Sequence, residues 1–205
     1  MFFVDEVEMK IFLVQPFKDA GLANESWPPI GLGYLATAVR NAGHEVQILD
    51  CLKDCDGIPD FLKKVQGYSP DVIGYNVYSI AVPHIVAMVE ALKEVMPDII
   101  SVMGGPHISS LPEQIMGVIP HVDFAIQGEG EVPLCHLLKS LESGQKNYHE
   151  IPGLIYQEDG ETKMNPSHNQ KDIEEYGFPA WDLINPPDYF KYFAIGPDTV
   201  PIFLS

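Results

Sequence analysis

Apolar residues along this chain fall in short unbroken runs that alternate with stretches where they recur every three or four positions. Lys10 to Gln15 reads Lys-Ile-Phe-Leu-Val-Gln, the pattern of a strand buried on both faces. Gly31 to Ala42 carries Leu32, Leu35, Ala36 and Val39 at helical spacing, and Gly43 closes that helix. Val46–Leu49 predicts a second strand, and Ile58–Val65 a second helix with Phe61, Leu62 and Val65 on one side. Asp71–Val77 predicts a third strand. Val82, Ile85, Val86, Val89, Leu92 and Val95 mark the helix after it, which Pro97 ends. Ile99–Met103 reads as a fourth strand, followed by a short helix near Pro112 to Met116. Asp123–Gln127 reads as a fifth, followed by a helix over Glu131–Leu141.

Strands that alternate with helices predict an α/β fold: a doubly wound, five-stranded parallel sheet, Rossmann-like, because parallel neighbours need a right-handed crossover. The expected strand order is 2-1-3-4-5, with the switch point between the first and third strands. This domain is expected to span residues 9–145. Beyond Gly144 the pattern changes. Gly153–Tyr156 and Thr162–Met164 flank Glu158-Asp159-Gly160-Glu161, a hairpin signal. Prolines 166, 179, 186, 187, 197 and 201, mixed with aromatics, then predict an extended linker, so residues 146–205 read as hairpin plus linker. Val200–Ser205 reads as a strand beginning, and the chain is expected to be part of a longer protein.

Four loops leave the carboxyl ends of strands one, three, four and five and are expected to meet at one mouth. They are residues 16–30, Asn76-Val77-Tyr78-Ser79, Gly104-Gly105-Pro106-His107-Ile108-Ser109-Ser110, and Gly128-Glu129-Gly130-Glu131. Their small and polar residues offer hydrogen bonds at close backbone range, without a charged phosphate clamp.

Charge narrows the partners. Twelve basic against twenty-nine acidic side chains give −17, which disfavours nucleic acid and anionic membrane faces. No apolar run reaches the roughly 20 residues that span a bilayer, and the N-terminus lacks the basic start of a signal peptide, so a cytoplasmic protein is expected. Cys51 and Cys55 form a C-x3-C pair, but Ile58 stands where a third cluster ligand is wanted. They are read as free thiols, as is Cys135. The histidines show no zinc-ligand spacing, and no metal site is expected; His107 alone sits in a loop at the mouth.

A rival fingerprint exists. Gly31-Leu32-Gly33-Tyr34-Leu35-Ala36 spells G-x-G-x-x-A, with Asp50 at the end of strand two where a ribose-binding acid of a dinucleotide-binding oxidoreductase would stand. The first glycine should follow strand one directly, yet residues 16–30 intervene. Gly31 and Gly33 are therefore read as letting a helix start pack closely on the sheet. Neither a G-x-S-x-G elbow nor a phosphate-binding G-x-x-x-x-G-K loop is present.

The run Pro28-Pro29-Ile30-Gly31-Leu32-Gly33-Tyr34-Leu35-Ala36, then Arg40-Asn41-Ala42-Gly43-His44-Glu45-Val46 and Asp50, resembles the cobalamin-binding N-terminal domain of radical S-adenosylmethionine enzymes. Pro70-Asp71-Val72-Ile73-Gly74, Gly104-Gly105-Pro106-His107 and Gly128-Glu129-Gly130-Glu131 occur in the same order in that family. The tail, with Ile151–Tyr156 and Pro179-Ala180-Trp181-Asp182-Leu183, is similar to its linker into the radical barrel. The resemblance implies methyl transfer or an oxidative cyclisation in a full-length protein, with a radical barrel in cis. S-adenosylmethionine and the 4Fe-4S cluster belong to that barrel, whose C-x3-C-x2-C motif is expected beyond Ser205. It also implies cobalamin as the cofactor, held by Asn76, Tyr78, Ser79, Gly104, Gly105, Pro106, His107, Gly128, Glu129 and Gly130. No catalytic residue is assigned within this chain. The loop after strand one has no D-x-H-x-x-G, so the group beneath cobalt stays open among a water, Asn76 and a first-loop residue. The alternative from another class is a Rossmann-like module without its cofactor, serving as a substrate or partner platform.

Overall fold

A computed structural model describes residues 8–17, 27–112, 115–167 and 177–192. Its centre is one sheet with strand order β2-β1-β3-β4-β5-β6-β7. The strands are β1 (Lys10–Gln15), β2 (Glu45–Asp50), β3 (Val72–Asn76), β4 (Ile100–Gly104), β5 (Phe124–Ile126), β6 (Leu154–Glu158) and β7 (Glu161–Met164). The first five are parallel in the expected order. The hairpin does not stand apart: β6 pairs antiparallel with β5, and β7 with β6, which extends the sheet to seven strands. Asp159 and Gly160 make its turn, both at positive φ.

The helices are α1 (Ile30–Asn41), α2 (Cys51–Asp54), α3 (Ile58–Tyr68), α4 (Val82–Val95), α5 (Pro106–Ser110), α6 (Ile115–Val118), α7 (Glu131–Ser143) and α8 (Trp181–Ile184). The stripes of α3 and α4, with Phe61, Val65, Ile85, Val89 and Leu92, bury against Phe12, Ile73, Tyr75 and Met103 on one face of the sheet. The stripes of α1 and α7, with Leu32, Ala36, Val39, Leu134, Leu137 and Leu138, bury against Ile11, Leu13, Val72 and Val102 on the other. Three short helices were not visible in the apolar periodicity: α2, α5, which replaces part of the expected strand-four loop, and α8, which lies in the stretch expected to be extended. Pro106 sits at the first position of α5, where its missing N–H costs nothing. The short helix expected near Pro112 to Met116 lies slightly later, at Ile115–Val118. The strand expected at Val200–Ser205 lies outside the described residues.

Residues 177–192 form a strap across the outside of α1 and the end of β2. Its chain is laid down by Ala180 N–H donating to Gly33 O (3.0 Å) and Thr37 Oγ1 donating to Phe178 O (2.7 Å). A Cβ on Gly33 would lie 2.5 Å from Ile184 and 2.9 Å from Pro179, and one on Gly31 would meet nothing within 4 Å, so Gly33 is small in order to admit the strap, and neither glycine serves the close packing on the sheet that was expected. Ile184 and Tyr189 are each 1% exposed, and the Tyr189 hydroxyl donates to Asp50 Oδ2 at 2.9 Å. Arg40 grips Asp182 through two bonds of 2.9 and 2.7 Å, and Lys53 Nζ reaches Asp188 at 3.0 Å. The Arg40–Asp182 pair is largely exposed and is worth at most about 1 kcal/mol. Burying two large side chains is worth about 1.5–3 kcal/mol each, so burial holds the strap and the ion pairs set its register.

Gly33→Val is therefore expected to lift the strap, with much faster chymotryptic cleavage after Trp181 and Tyr189, whereas Arg40→Ala leaves cleavage within a few-fold of the native rate. Time-resolved mass spectrometry of the digests reads both; equal protection in Gly33→Val would refute the packing argument.

Candidate functional site

Side chains of a strand alternate between faces, so the α1/α7 face of the sheet is read in register rows. One row runs Ile48, Leu13, Gly74, Val102, Phe124 across β2, β1, β3, β4 and β5. The next, at the carboxyl edge, contains the pairs Asp50–Gln15 and Asn76–Gly104. A glycine stands in each row, on neighbouring strands beside the switch point. Where Gly74 and Gly104 leave out side chains the sheet is hollow. A Cβ on Gly104 would meet nothing within 4 Å, whereas one on Gly74 would press on Leu13 at 3.0 Å, closer than ordinary contact, so glycine there lets Leu13 lie flat against β3.

Above this hollow lies a cleft of about 720 Å³. Leu13, Gly74, Val102 and Ile126 form its floor, Leu32 and Leu35 of α1 and Leu134 of α7 its walls, and Trp27, Pro28 and Pro29 its lip. That size and an apolar lining with few polar groups suit a small-molecule cofactor. The polar groups sit on the rim. Asn76 donates from Nδ2 to Gln15 Oε1 at 2.9 Å, tying the ends of β3 and β1 together. Gly105 has φ +101°, and a Cβ there would collide with Asn76 Oδ1 and approach Val77 N to 3.0 Å; only glycine lets the β4 turn come this close. Ser109 Oγ accepts from Gly128 N–H at 3.1 Å, which holds the β5 turn beside α5.

Of the ten residues the sequence singled out, the cleft brings together Asn76, Tyr78, Gly104, Gly105, Pro106, Gly128, Glu129 and Gly130. Ser79 and His107 lie in a neighbouring recess of about 330 Å³ with Val82, Pro83, Ile115 and Val118. There Ser79 Oγ and His107 Nδ1 are 2.9 Å apart, a bond that links the β3 and β4 loops from outside the cleft. Glu131 stands in the lining beside Glu129. Burial pushes the Glu131 carboxyl above its ordinary range, and the charge on Glu129 adds to this, against the backbone N–H groups of Glu131 and Gly130. Among the described residues the lining contains two carboxyl side chains and no Lys, Arg or His.

Asp50, the acid of the dinucleotide fingerprint, is 2% exposed. Its Oδ1 accepts from Leu52 N–H at 3.0 Å and its Oδ2 from Tyr189 at 2.9 Å, so it is committed to structure. Among the described residues no group of three His, Cys, Asp or Glu side chains is placed to hold a metal ion, and no helix is long and apolar enough to cross a membrane.

The sequence model of the B12 binding domain family matches residues 20–138, more than half of the chain. The chain belongs to the B12-binding domain family. This B12-binding domain is 32% identical over 187 residues to an uncharacterized methyltransferase of Pyrococcus horikoshii, covering 89% of this chain and 40% of that protein. It is 27% identical to the anaerobic magnesium-protoporphyrin IX monomethyl ester cyclase of Cereibacter sphaeroides, over 88% of this chain and 30% of the cyclase. The chain thus spans well under half the length of these relatives. Among solved structures, the cobalamin-dependent S-adenosylmethionine radical enzyme OxsB, with aqua-cobalamin and S-adenosylmethionine bound, shares the fold with a TM-score of 0.75. The identity is 23%, over 91% of this chain and 26% of OxsB.

The B12-binding domain contains lining residues outside the ten that the sequence singled out: Leu13, Gly74, Val102, Leu35 and Leu134, and Glu131, which stood in the fourth mouth loop but was not counted among the cofactor-holding residues. For Gly74 the signal was present, since glycine inside an apolar strand marks close approach.

A carboxyl raised in the fold contributes its full stability below the ordinary pKa of about 4.3 and loses it as pH rises through the folded value. Glu131→Gln is therefore expected to unfold at higher urea concentration than the native chain at pH 7 and at the same concentration near pH 4. Urea titrations at the two pH values check this; an identical shift at both would show that the Glu131 charge carries no penalty.

Proposed function

We propose that residues 9–145 bind cobalamin and serve as the cofactor domain of a radical S-adenosylmethionine enzyme whose full-length form transfers a methyl group or carries out a related oxidative cyclisation. The cleft carries this reading: in a chain of the B12-binding family, an apolar hollow of about 720 Å³ opens beside the switch point where glycines 74 and 104 stand on neighbouring strands. The residues fit the group. Gly74 and Gly104 make room for a flat aromatic base, with Leu13, Val102, Leu35 and Leu134 as its apolar surroundings. Asn76, Tyr78, Gly105, Pro106, Gly128, Glu129 and Gly130 supply amide, phenol, carboxylate and backbone groups at the rim, where the corrin and its amide arms would rest. Ser79 and His107 act one step away, by fixing the rim loops to each other. When bound, cobalamin supplies a cobalt centre able to carry a methyl group.

S-adenosylmethionine and the 4Fe-4S cluster belong, in this reading, to a radical barrel in cis beyond residues 146–205. The similarity of the chain to a methyltransferase and to a cyclase supports it. The net charge of −17 fits a small-molecule cofactor and a cytoplasmic protein rather than nucleic acid or a membrane face.

Incubation with hydroxocobalamin in the dark, desalting and a visible spectrum test the proposal. The native chain is expected to retain a corrin band in near-stoichiometric amount. Gly104→Leu is expected to retain about tenfold less or worse, since its side chain meets open space in the fold and occupies the cleft. Its urea midpoint should match the native one, so loss of colour reports the cleft and not unfolding. A colourless native chain, or a Gly104→Leu variant that keeps the band, would overturn the assignment.

A further inference from the structure

Glu131, the first residue of α7, lines the cleft yet holds no part of the cofactor in the arrangement proposed for the rim. Leu134, three positions on, shares its side of the helix and lies about 4.5 Å further along the axis. Leu134 is buried and walls the cleft, so Glu131 stands in the same wall, above the apolar floor of Leu13, Val102 and Ile126. The start of α7 is pressed against α1 here, since a Cβ on Gly130 would come within 3.0 Å of Leu35. The polar groups around it are more exposed or already engaged: Glu129 and Tyr78 are exposed, and Asn76 is bonded to Gln15.

On the reading that cobalamin is the ligand, we infer that Glu131 recognises the base of its nucleotide tail, the carboxyl carrying a proton and donating it in a hydrogen bond to the bare ring nitrogen of the base. Dimethylbenzimidazole, the base of cobalamin, has one ring nitrogen free of the sugar, and that atom can only accept. An apolar floor suits the rest of the ring and leaves this nitrogen in need of a donor. Glu131 as a carboxylate also only accepts, so two lone pairs face each other until one proton is taken from solvent. Burial already holds the Glu131 carboxyl above its ordinary range, with the charge of Glu129 adding to it, which lowers the cost of taking that proton up.

Binding that takes up one proton depends on pH with a fixed sign. Affinity is full where Glu131 is already protonated in the free chain and falls as pH rises past that point, by up to about tenfold per pH unit. The titratable groups around Glu131 are Glu129 on its own loop, Tyr34 on α1, Tyr78 on the β3 loop and Cys135 on α7. Burial and the charge of Glu131 push the Cys135 thiol up to about 11, so it stays protonated at neutral pH. Glu129, Tyr34 and Tyr78 also line the cleft, and their effect reaches any corrin bound there, with or without a tail. The effect of Glu131 requires the tail.

Equilibrium ultrafiltration of the full chain in the dark tests this, with methylcobalamin, whose methyl ligand does not titrate, and with methylcobinamide, which lacks the nucleotide tail. Between about pH 5.5 and 8 the native chain is expected to lose about tenfold or more in affinity for methylcobalamin, while its affinity for methylcobinamide stays within about twofold. Glu131→Gln donates from its amide without taking up a proton. It is expected to flatten the methylcobalamin profile and to bind more tightly than the native chain at the alkaline end. Glu131→Ala is expected to be flat as well, and as weak throughout as the native chain at that end. A native profile that is flat, that runs parallel to the methylcobinamide profile, or that persists in Glu131→Gln overturns the role of Glu131 and leaves the cofactor assignment standing. Retention of neither corrin by the native chain overturns both.

Discussion

A parallel sheet covered by helices on both faces packs to crystal-like density, so a ligand can enter only where side chains are left out of a row. Every feature of the carboxyl edge depends on this constraint. Gly74 and Gly104 sit on adjacent strands in adjacent rows of the same face, and their joint absence of side chains turns two small gaps into one hollow beside the switch point. Leu13 and Val102 flank Gly74 in its own row and give the hollow a hard apolar floor. Gly105 then bends the chain at a φ that few other residues adopt, and Asn76 and Gln15 lock the ends of the flanking strands.

Helix α1 carries a double load. Its inner side, with Leu32 and Leu35, is a wall of the cleft, and Leu35 lies against Gly130 of the opposite rim. Its outer side, with Gly33, Thr37 and Arg40, is the seat of the strap. The width of the cleft and the docking of the strap are therefore set by the same rigid element. The antiparallel hairpin plays the corresponding part at the far edge: it covers β5, only three residues long, and presents short strands bearing Glu158, Glu161 and Lys163 to solvent.

The five parallel strands and their order were legible because each is a compact apolar run punctuated by glycine, proline or a polar loop, and because crossover handedness leaves few topologies. The hairpin was legible in Asp159-Gly160, but its pairing with β5 was not, since nothing local encodes which edge a hairpin joins. Helix α5 was hidden because Pro106-His107-Ile108-Ser109-Ser110 has one apolar residue and no period. That same helix turns His107 into the outer recess, beside Ser79, which a reading by loop membership could not separate from the cleft. Leu13, Val102 and Leu134 look in sequence like any core residue; only the glycines next to them in the folded rows make them a lining. Glu129 and Glu131 differ in sequence by two positions, and it took the start of α7 to show that Glu131, too, lines the cleft and is the more buried of the rim acids.

The strap also fixes when the fold is finished. Thr37, Arg40 and Asp50 meet Phe178, Asp182 and Tyr189 across sequence separations of 141, 142 and 139 residues. Contacts closed over such long loops carry a large entropic cost and form late in folding. During synthesis from the N-terminus the sheet through β5 has all its partners long before the strap exists. The outer side of helix α1, the helix whose inner side walls the cleft, stays uncovered until residues 178–184 have been made, so the last layer of its packing is timed by the segment that follows the parallel sheet and not by the sheet itself.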